Sequence, residues 1–206
     1  MIRSLDDVWQ TTPYPEVLSE AYWEGKRDFV PILSDESAVA LTERLALNKP
    51  RRVLEIGTAI GYSGLLILGV AKGATLTTID VDPDRLERAR HYFEKAGVKG
   101  RVQVIEDDAL KVLPMMDMTF DYILLDGPKG HYPEMLDDLL RLLTPDGEIY
   151  VDDVNYLGLV EGEAKVLHKH RTIVTKMREF VESVKEKQLD KTVLPIAGGA
   201  MWIRKK

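Results

Sequence analysis

Cysteine is absent from the 206 residues, which excludes a disulfide framework and any thiolate metal site and leaves oxygen or imidazole to hold a metal. Histidine is scarce: of the four, three lie in or near helical stretches without a partner at ligand spacing, so oxygen donors and a hard cation are favoured. No apolar run approaches the roughly 20 residues needed to span a bilayer, and the opening "MIRSLDDVWQ" lacks the basic and then apolar pattern of a signal peptide. A cytoplasmic protein without membrane association is the expectation. An excess of basic charge is also missing: 28 lysines and arginines against 34 acidic residues exclude a globally basic nucleic-acid binder and leave only local patches. No repeat, low-complexity tract or linker divides the chain, and 45% hydrophobic residues suffice for one core, so a single domain over 1–206 is expected.

What is present is an alternation. "RVLEIG", "ATLTTID", "RVQVIED", "DYILLDG" and "GEIYVDD" read as strands, apolar on both faces at their centres as buried parallel strands are. Helical patterns over 62–71, 83–96, 109–116 and 131–143 separate or follow them. This order predicts an α/β fold with a doubly wound, mostly parallel sheet. Asp82-Pro83 reads as a helix start and "KAGVKG" as its glycine-terminated end. Residues 5–47 read as mostly helical, with a capping start at Ser34 or Asp35, and residues 1–50 as a helical cap that selects the acceptor. A charged helix over about 163–187 and two strands, "KTVLPI" and "AMWIRK", joined through "AGG", predict a closing antiparallel hairpin and seven strands in all.

The strand ends carry the chemistry. "VLEIGTAIGYSG" places Gly57 and Gly61 between the first strand and a helix, where backbone N–H groups and a positive helix end meet a ligand over the sheet edge. The spacing is Gly-x-x-x-Gly, not the Gly-x-Gly-x-x-Gly that cradles a pyrophosphate. Asp80 ends the second strand, where an acid accepts hydrogen bonds from ribose hydroxyls, and Asp107-Asp108-Ala109 ends the third. Together these suggest S-adenosylmethionine, although Asp80 also suits the cap of the next helix. Asp126 ends the fourth strand, and Asp152 and Asp153 the fifth. Three such carboxylates side by side repel unless a cation joins them, which points to Mg²⁺; a turn cap is the alternative for Asp152 or Asp153 taken alone. Lys129, stiffened by Pro128, reads either as a surface lysine or as a base whose pKa a neighbouring cation lowers.

Taken jointly, these segments resemble the metal-dependent catechol and caffeoyl-CoA O-methyltransferase family of class I S-adenosylmethionine enzymes. The resemblance implies a Rossmann-like methyltransferase fold and S-adenosylmethionine as cofactor, with Glu55, Gly57 and Ser63 at its methionine end, Asp80 at the ribose, Asp108 and Ala109 against the adenine, and Leu33 and Asp126 touching it. It further implies Asp126, Asp152 and Asp153 as ligands of Mg²⁺ or of another divalent cation such as Mn²⁺ or Ca²⁺, Lys129 as catalytic base, and a homodimer. Asp153 departs from the family's usual Asn and brings the ion and its three carboxylates to a net charge of about minus one. "DGPKGHY", "HKHRTIVTKMREF" and "VLPIAGGAMWI" look most like the bacterial branch, which includes the tRNA methyltransferase acting on 5-hydroxyuridine. Lys165, His168, Lys169, His170, Arg171, Lys176 and Arg178 would offer a tRNA a basic face; a solvated helix face is the alternative. The other acceptor class is a small hydroxylated aromatic, on whose ring Trp23 and Tyr156 could stack. Rival readings are an NAD-dependent oxidoreductase, disfavoured by the missing glycine pattern, and a nucleotide- or RNA-binding module without methyl transfer.

Overall fold

The computed structural model describes residues 4–155, 160 and 167–206, the side chain of Lys169 excepted. Three helices come first: α1 (Leu5–Gln10), α2 (Pro15–Arg27) and α3 (Asp35–Asn48). Each start is written in the sequence. Ser4 and Asp7 form a reciprocal capping box on α1, Pro15 opens α2, and the Ser34 hydroxyl accepts from the Ser37 amide to cap α3. The alternating part follows as β1 (Arg52–Ile56), α4 (Tyr62–Val70), β2 (Thr75–Asp80), α5 (Pro83–Lys95), β3 (Val102–Glu106), α6 (Ala109–Val112), β4 (Phe120–Leu125), α7 (Tyr132–Leu142) and β5 (Leu143–Asp152). Helix α8 (Arg171–Glu186) and the hairpin β6 (Asp190–Leu194) and β7 (Ala200–Arg204) close the chain.

The seven strands form one sheet in the order β3-β2-β1-β4-β5-β7-β6, the first five parallel and the last two antiparallel to their neighbours. The expected α/β class and seven-stranded sheet are observed. Successive residues of a strand serve opposite faces, and the core divides accordingly. Val53, Tyr122, Leu124 and Tyr150 pack with α1 to α5, whereas Leu54, Ile123, Leu125, Ile149 and Val151 pack with α6 to α8. Among the described residues no helix is long and apolar enough to cross a membrane.

Of the element ends that differ from the sequence expectation, among them the start of β5 at Leu143, two have a local reason in a proline. Pro114 has no N–H to continue a helix, so α6 stops at Val112 and tightens into a 3₁₀ turn, Leu113–Met115. Pro133 is seated in the first turn of α7, which therefore starts at Tyr132, after a 3₁₀ turn at Lys129–His131. The last helix begins only at Arg171, and the expected residues 163–166 lie outside the described ones.

At the other end of the sheet Glu148, 1% exposed, ties α3 to β5 and β7. It accepts from Arg44 Nε at 2.7 Å, from Arg204 Nε at 2.8 Å and from Asn48 at 3.0 Å. Glu148→Gln leaves two arginines facing a neutral group. It should lower stability in chemical denaturation by about 2–3 kcal/mol, less than a fully buried pair costs because both arginines keep some solvent. An unchanged midpoint would show the network to be dispensable.

Candidate active site

The strand order reverses between β1 and β4, and a crevice opens there beyond the C-terminal ends of the parallel strands. It holds a cavity of about 330 Å³, whose wall includes Gly57, Asp80, Asp108, Ala109, Asp126 and Lys129. Six of the residues singled out in the sequence thus meet in one place. The volume lies at the lower end of the range of small-molecule sites, roughly 300–1,000 Å³.

Gly57 makes the crevice possible. Its φ of +101° is open mainly to glycine, and a Cβ there would sit 2.2 Å from the carbonyl oxygen of Asp126. Without that side chain β1 stays paired to both neighbours at its tip: the Asp126 amide beyond β4 donates to Ile56 O at 3.0 Å, and the Gly57 amide donates to Ile79 O of β2 at 2.9 Å. The next turn is held from β2. Ala59, itself left-handed at φ 45°, donates its amide to Asp80 Oδ2 at 2.9 Å, while Oδ1 accepts from Val81 and Asp82 at 2.8 and 3.1 Å. Asp80 therefore shapes the glycine loop and lines the cavity as well. Asp82, not Asp80, caps α5, accepting from the Asp84 and Arg85 amides.

Glu55, Ser63 and Leu33 stand behind the wall. Glu55 is fully buried, and the hydroxyls of Ser63 and Thr78 donate to it at 2.5 Å each, with Thr58 2.6 Å from Thr78. Leu33 is 2% exposed within the core, and Pro31, two residues earlier, takes a place on the cavity wall. Ala59, Val81, Arg85 and Asp107 also line the cavity. Asp107 belongs to the expected third strand end; for the other three, only their places in the turns and first helical turn after β1 and β2 could have pointed to them.

Burial pushes the Glu55 carboxyl up from 4.5 to about 7; the Ser63 and Thr78 hydroxyls counter the shift and the Asp80 charge adds to it. A carboxyl that binds its proton more tightly folded than unfolded favours folding at low pH and loses that advantage as pH rises through 7. The loss from pH 4.5 to above 7 amounts to about 3 kcal/mol. Glu55→Gln should therefore be more stable than the parent at pH 8, with the advantage shrinking toward pH 5, when followed by urea titration. An equal difference at both pH values would place the ionisation of Glu55 elsewhere.

The acidic cluster lies at the tips of β4 and β5. Asp152 is 7% exposed, its Oδ1 buried without a hydrogen-bond partner. Burial raises the pKa of Asp126, Asp152 and Asp153 alike, and Asp152 adds to the rise at Asp126. Lys129 Nζ lies 3.7 Å from Asp126 Oδ1 and 3.4 Å from Asp153 Oδ2. Burial lowers the pKa of that ammonium, but Asp126, Asp153 and Asp152 outweigh it, so the proton is held above the ordinary lysine value. The expected lowering toward neutrality is thus reversed where the carboxylates face the lysine without a cation. Among the described residues no three His, Asp or Glu side chains form a ready-made cation cage. The donor chemistry does suit a hard cation: oxygen only, desolvated, with one oxygen of Asp152 unpaired.

Two supports of this cluster lie beyond what the sequence pattern indicates. Tyr132, fully buried and edge-on to Phe180 at 5.6 Å, donates to Leu125 O at 3.3 Å and so ties α7 to the strand that carries Asp126. Asp153 has a left-handed φ of 52°, and the "AGG" turn wraps it. Gly198 and Gly199, at φ 78° and 69°, accept from the Asn155 and Val154 amides, and a Cβ on Gly198 would sit 2.5 Å from Asp153 Oδ1. The turn is itself anchored to α3 by the Ala197 amide donating to Glu36 at 2.7 Å.

Of the expected basic face, Lys176 and Arg178 are engaged within the protein, whereas His168 and Arg171 are exposed. Lys176 pairs with Glu134 and Glu179 at 3.2 and 2.9 Å, and Arg178 donates to Val160 O at 3.0 Å. Lys165, the side chain of Lys169 and Tyr156 lie outside the described residues. Trp23 is 63% exposed and meets Tyr22 edge-on.

Comparison with known proteins agrees with this geometry. The O-methyltransferase ankF of Aspergillus thermomutatus is 32% identical over 173 residues, which cover 76% of this chain and 72% of its own length. The SAH-bound methyltransferase PaMTH1 of Podospora anserina superposes with a TM-score of 0.82 at 29% identity, over 93% of this chain and 88% of that one. The O-methyltransferase TomG of Streptomyces achromogenes, solved with SAM and involved in tomaymycin synthesis, gives 0.81 at 25% identity over 93% and 90%. The family profile described as O-methyltransferase matches residues 24–206, and the chain belongs to the O-methyltransferase family.

Proposed function

We propose that this enzyme transfers a methyl group from S-adenosylmethionine to a hydroxyl of a small aromatic that carries a second oxygen beside it, with a divalent cation held by Asp126, Asp152 and Asp153. The observation that carries the reading is the meeting of Gly57, Asp80, Asp108, Ala109, Asp126 and Lys129 on one cavity at the switch point of the sheet. Family membership supports the reaction class, and the SAH and SAM bound to two structural relatives support the cofactor.

S-adenosylmethionine supplies an electrophilic methyl group on its sulfonium. Asp80 would accept from a ribose hydroxyl at the Oδ2 site that its three backbone donors leave free, and Asp108 and Ala109 would flank the adenine. Glu55 and Ser63 act from behind, fixing the glycine loop that meets the methionine end. A divalent cation, when bound, lowers the pKa of the acceptor hydroxyl and fixes its direction. Lys129, after giving its own ammonium proton to solvent, would take the proton from that hydroxyl, and the crevice would hold the acceptor oxygen against the methyl group. No covalent intermediate on the protein is required. Mg²⁺ is the cation proposed, with Mn²⁺ and Ca²⁺ as the other hard oxygen-binding candidates. The enzyme is proposed to be cytoplasmic and, by family resemblance, a homodimer.

A small acceptor is favoured over tRNA because two of the expected cations of α8, Lys176 and Arg178, are paired with Glu134, Glu179 and a backbone carbonyl. Calorimetry with S-adenosylmethionine and with NAD tests the cofactor: tight NAD binding and none by S-adenosylmethionine sinks the proposal. A methyl-transfer assay comparing catechol with tRNA carrying 5-hydroxyuridine then decides the acceptor class, and methylation of the tRNA alone would replace the small acceptor by RNA.

A further inference from the structure

Lys129 stands between two of the proposed cation ligands. Its ammonium lies within 3.7 Å of Asp126 Oδ1 and 3.4 Å of Asp153 Oδ2, and its side chain is only 16% exposed. Asp153 Oδ1 is backed against Gly198, where even a Cβ would come within 2.5 Å, and its other oxygen, Oδ2, faces Lys129. The left-handed backbone of Asp153 and the amides pinned to Gly198 and Gly199 leave this carboxylate little freedom to turn. Asp152 contributes a buried oxygen that nothing satisfies. The cluster is thus one of cation ligands whose charge is balanced, in the free protein, by a tethered ammonium.

We propose that Lys129 is a built-in occupant of the cation position, which a divalent ion can fill only by displacing the ammonium from Asp126 and Asp153. Cation entry and release of the lysine toward the acceptor are then one exchange. This rests on the reading of Asp126, Asp152 and Asp153 as cation ligands. It adds that the catalytic lysine competes with the ion for them.

Mn²⁺ binding, measured by titration calorimetry on the full chain, tests the competition. Lys129→Met should bind Mn²⁺ at least tenfold more tightly than the parent, and Lys129→Arg, which keeps the charge, no more tightly than the parent. Equal affinity of Lys129→Met and parent overturns the exchange while leaving the cation site standing; no Mn²⁺ binding by any of the three overturns both. A second measurement needs no variant. Under a brief pulse of acetic anhydride, read by mass spectrometry, Mn²⁺ should raise the labelling of Lys129 severalfold while leaving Lys72, Lys95 and Lys111 unchanged. Labelling of Lys129 that Mn²⁺ leaves unchanged or lowers would mean that the ammonium stays in place and the inference is wrong.

Discussion

Lys129→Ala is expected to bind S-adenosylmethionine as tightly as the parent while losing turnover about a thousandfold at saturating cation. The magnitude is that of removing a positioned general base, on the order of 10²–10⁴. The selectivity follows from position. Lys129 sits beside Asp126 and Asp153, whereas Asp80, Asp108 and Ala109, the residues proposed for the nucleoside, lie at or beyond the ends of β2 and β3. Affinity by calorimetry and turnover by product formation separate the two effects. A variant that keeps its turnover removes Lys129 as the base, and one that loses cofactor affinity in parallel makes it a structural group.

The second large effect concerns Gly57→Ala. A side chain at φ +101° is strained in itself, and its Cβ would press to 2.2 Å against the Asp126 carbonyl, a backbone atom that cannot swing aside. Either β1 or β4 must shift, and with it the loop and the carboxylate. Stability should fall by about 3 kcal/mol or more, and S-adenosylmethionine affinity by about tenfold or more. Gly97→Ala supplies the comparison, because Gly97 also has a positive φ, of +69°, but no atom within 4 Å of where its Cβ would stand. That variant should cost only the backbone strain, about 1 kcal/mol. If the two variants are equally stable and bind the cofactor equally, close approach at Gly57 has no structural role.

The strand ends were legible because each apolar run stops at a carboxylate. Asp80, Asp126 and Asp152 are the last or next residues of β2, β4 and β5, and the parallel pairing of β1 with β2 and β4 brings those ends to one edge. The O-methyltransferase family was legible for the same reason, since its motifs are these strand ends. Other features depend on contacts between distant parts of the chain, which a local pattern does not carry. Glu55 sits in the first motif, yet only the fold shows Thr78 and Thr58 completing its buried hydrogen-bond set. The "AGG" turn could be read as a hairpin, but its role as the backing of Asp153 requires Gly198 to meet a residue 45 positions earlier. The charges of α8 read as a basic face, and only the fold shows Glu134 of α7 opposite Lys176.

The most direct measurement is the rate at which purified enzyme, given S-adenosylmethionine and catechol, forms methylated catechol in Mg²⁺ and in EDTA. Product in Mg²⁺, loss of the rate in EDTA and its return when Mg²⁺ is restored in excess are the results expected of a cation-dependent methyl transfer; product formed at the same rate in EDTA would contradict it.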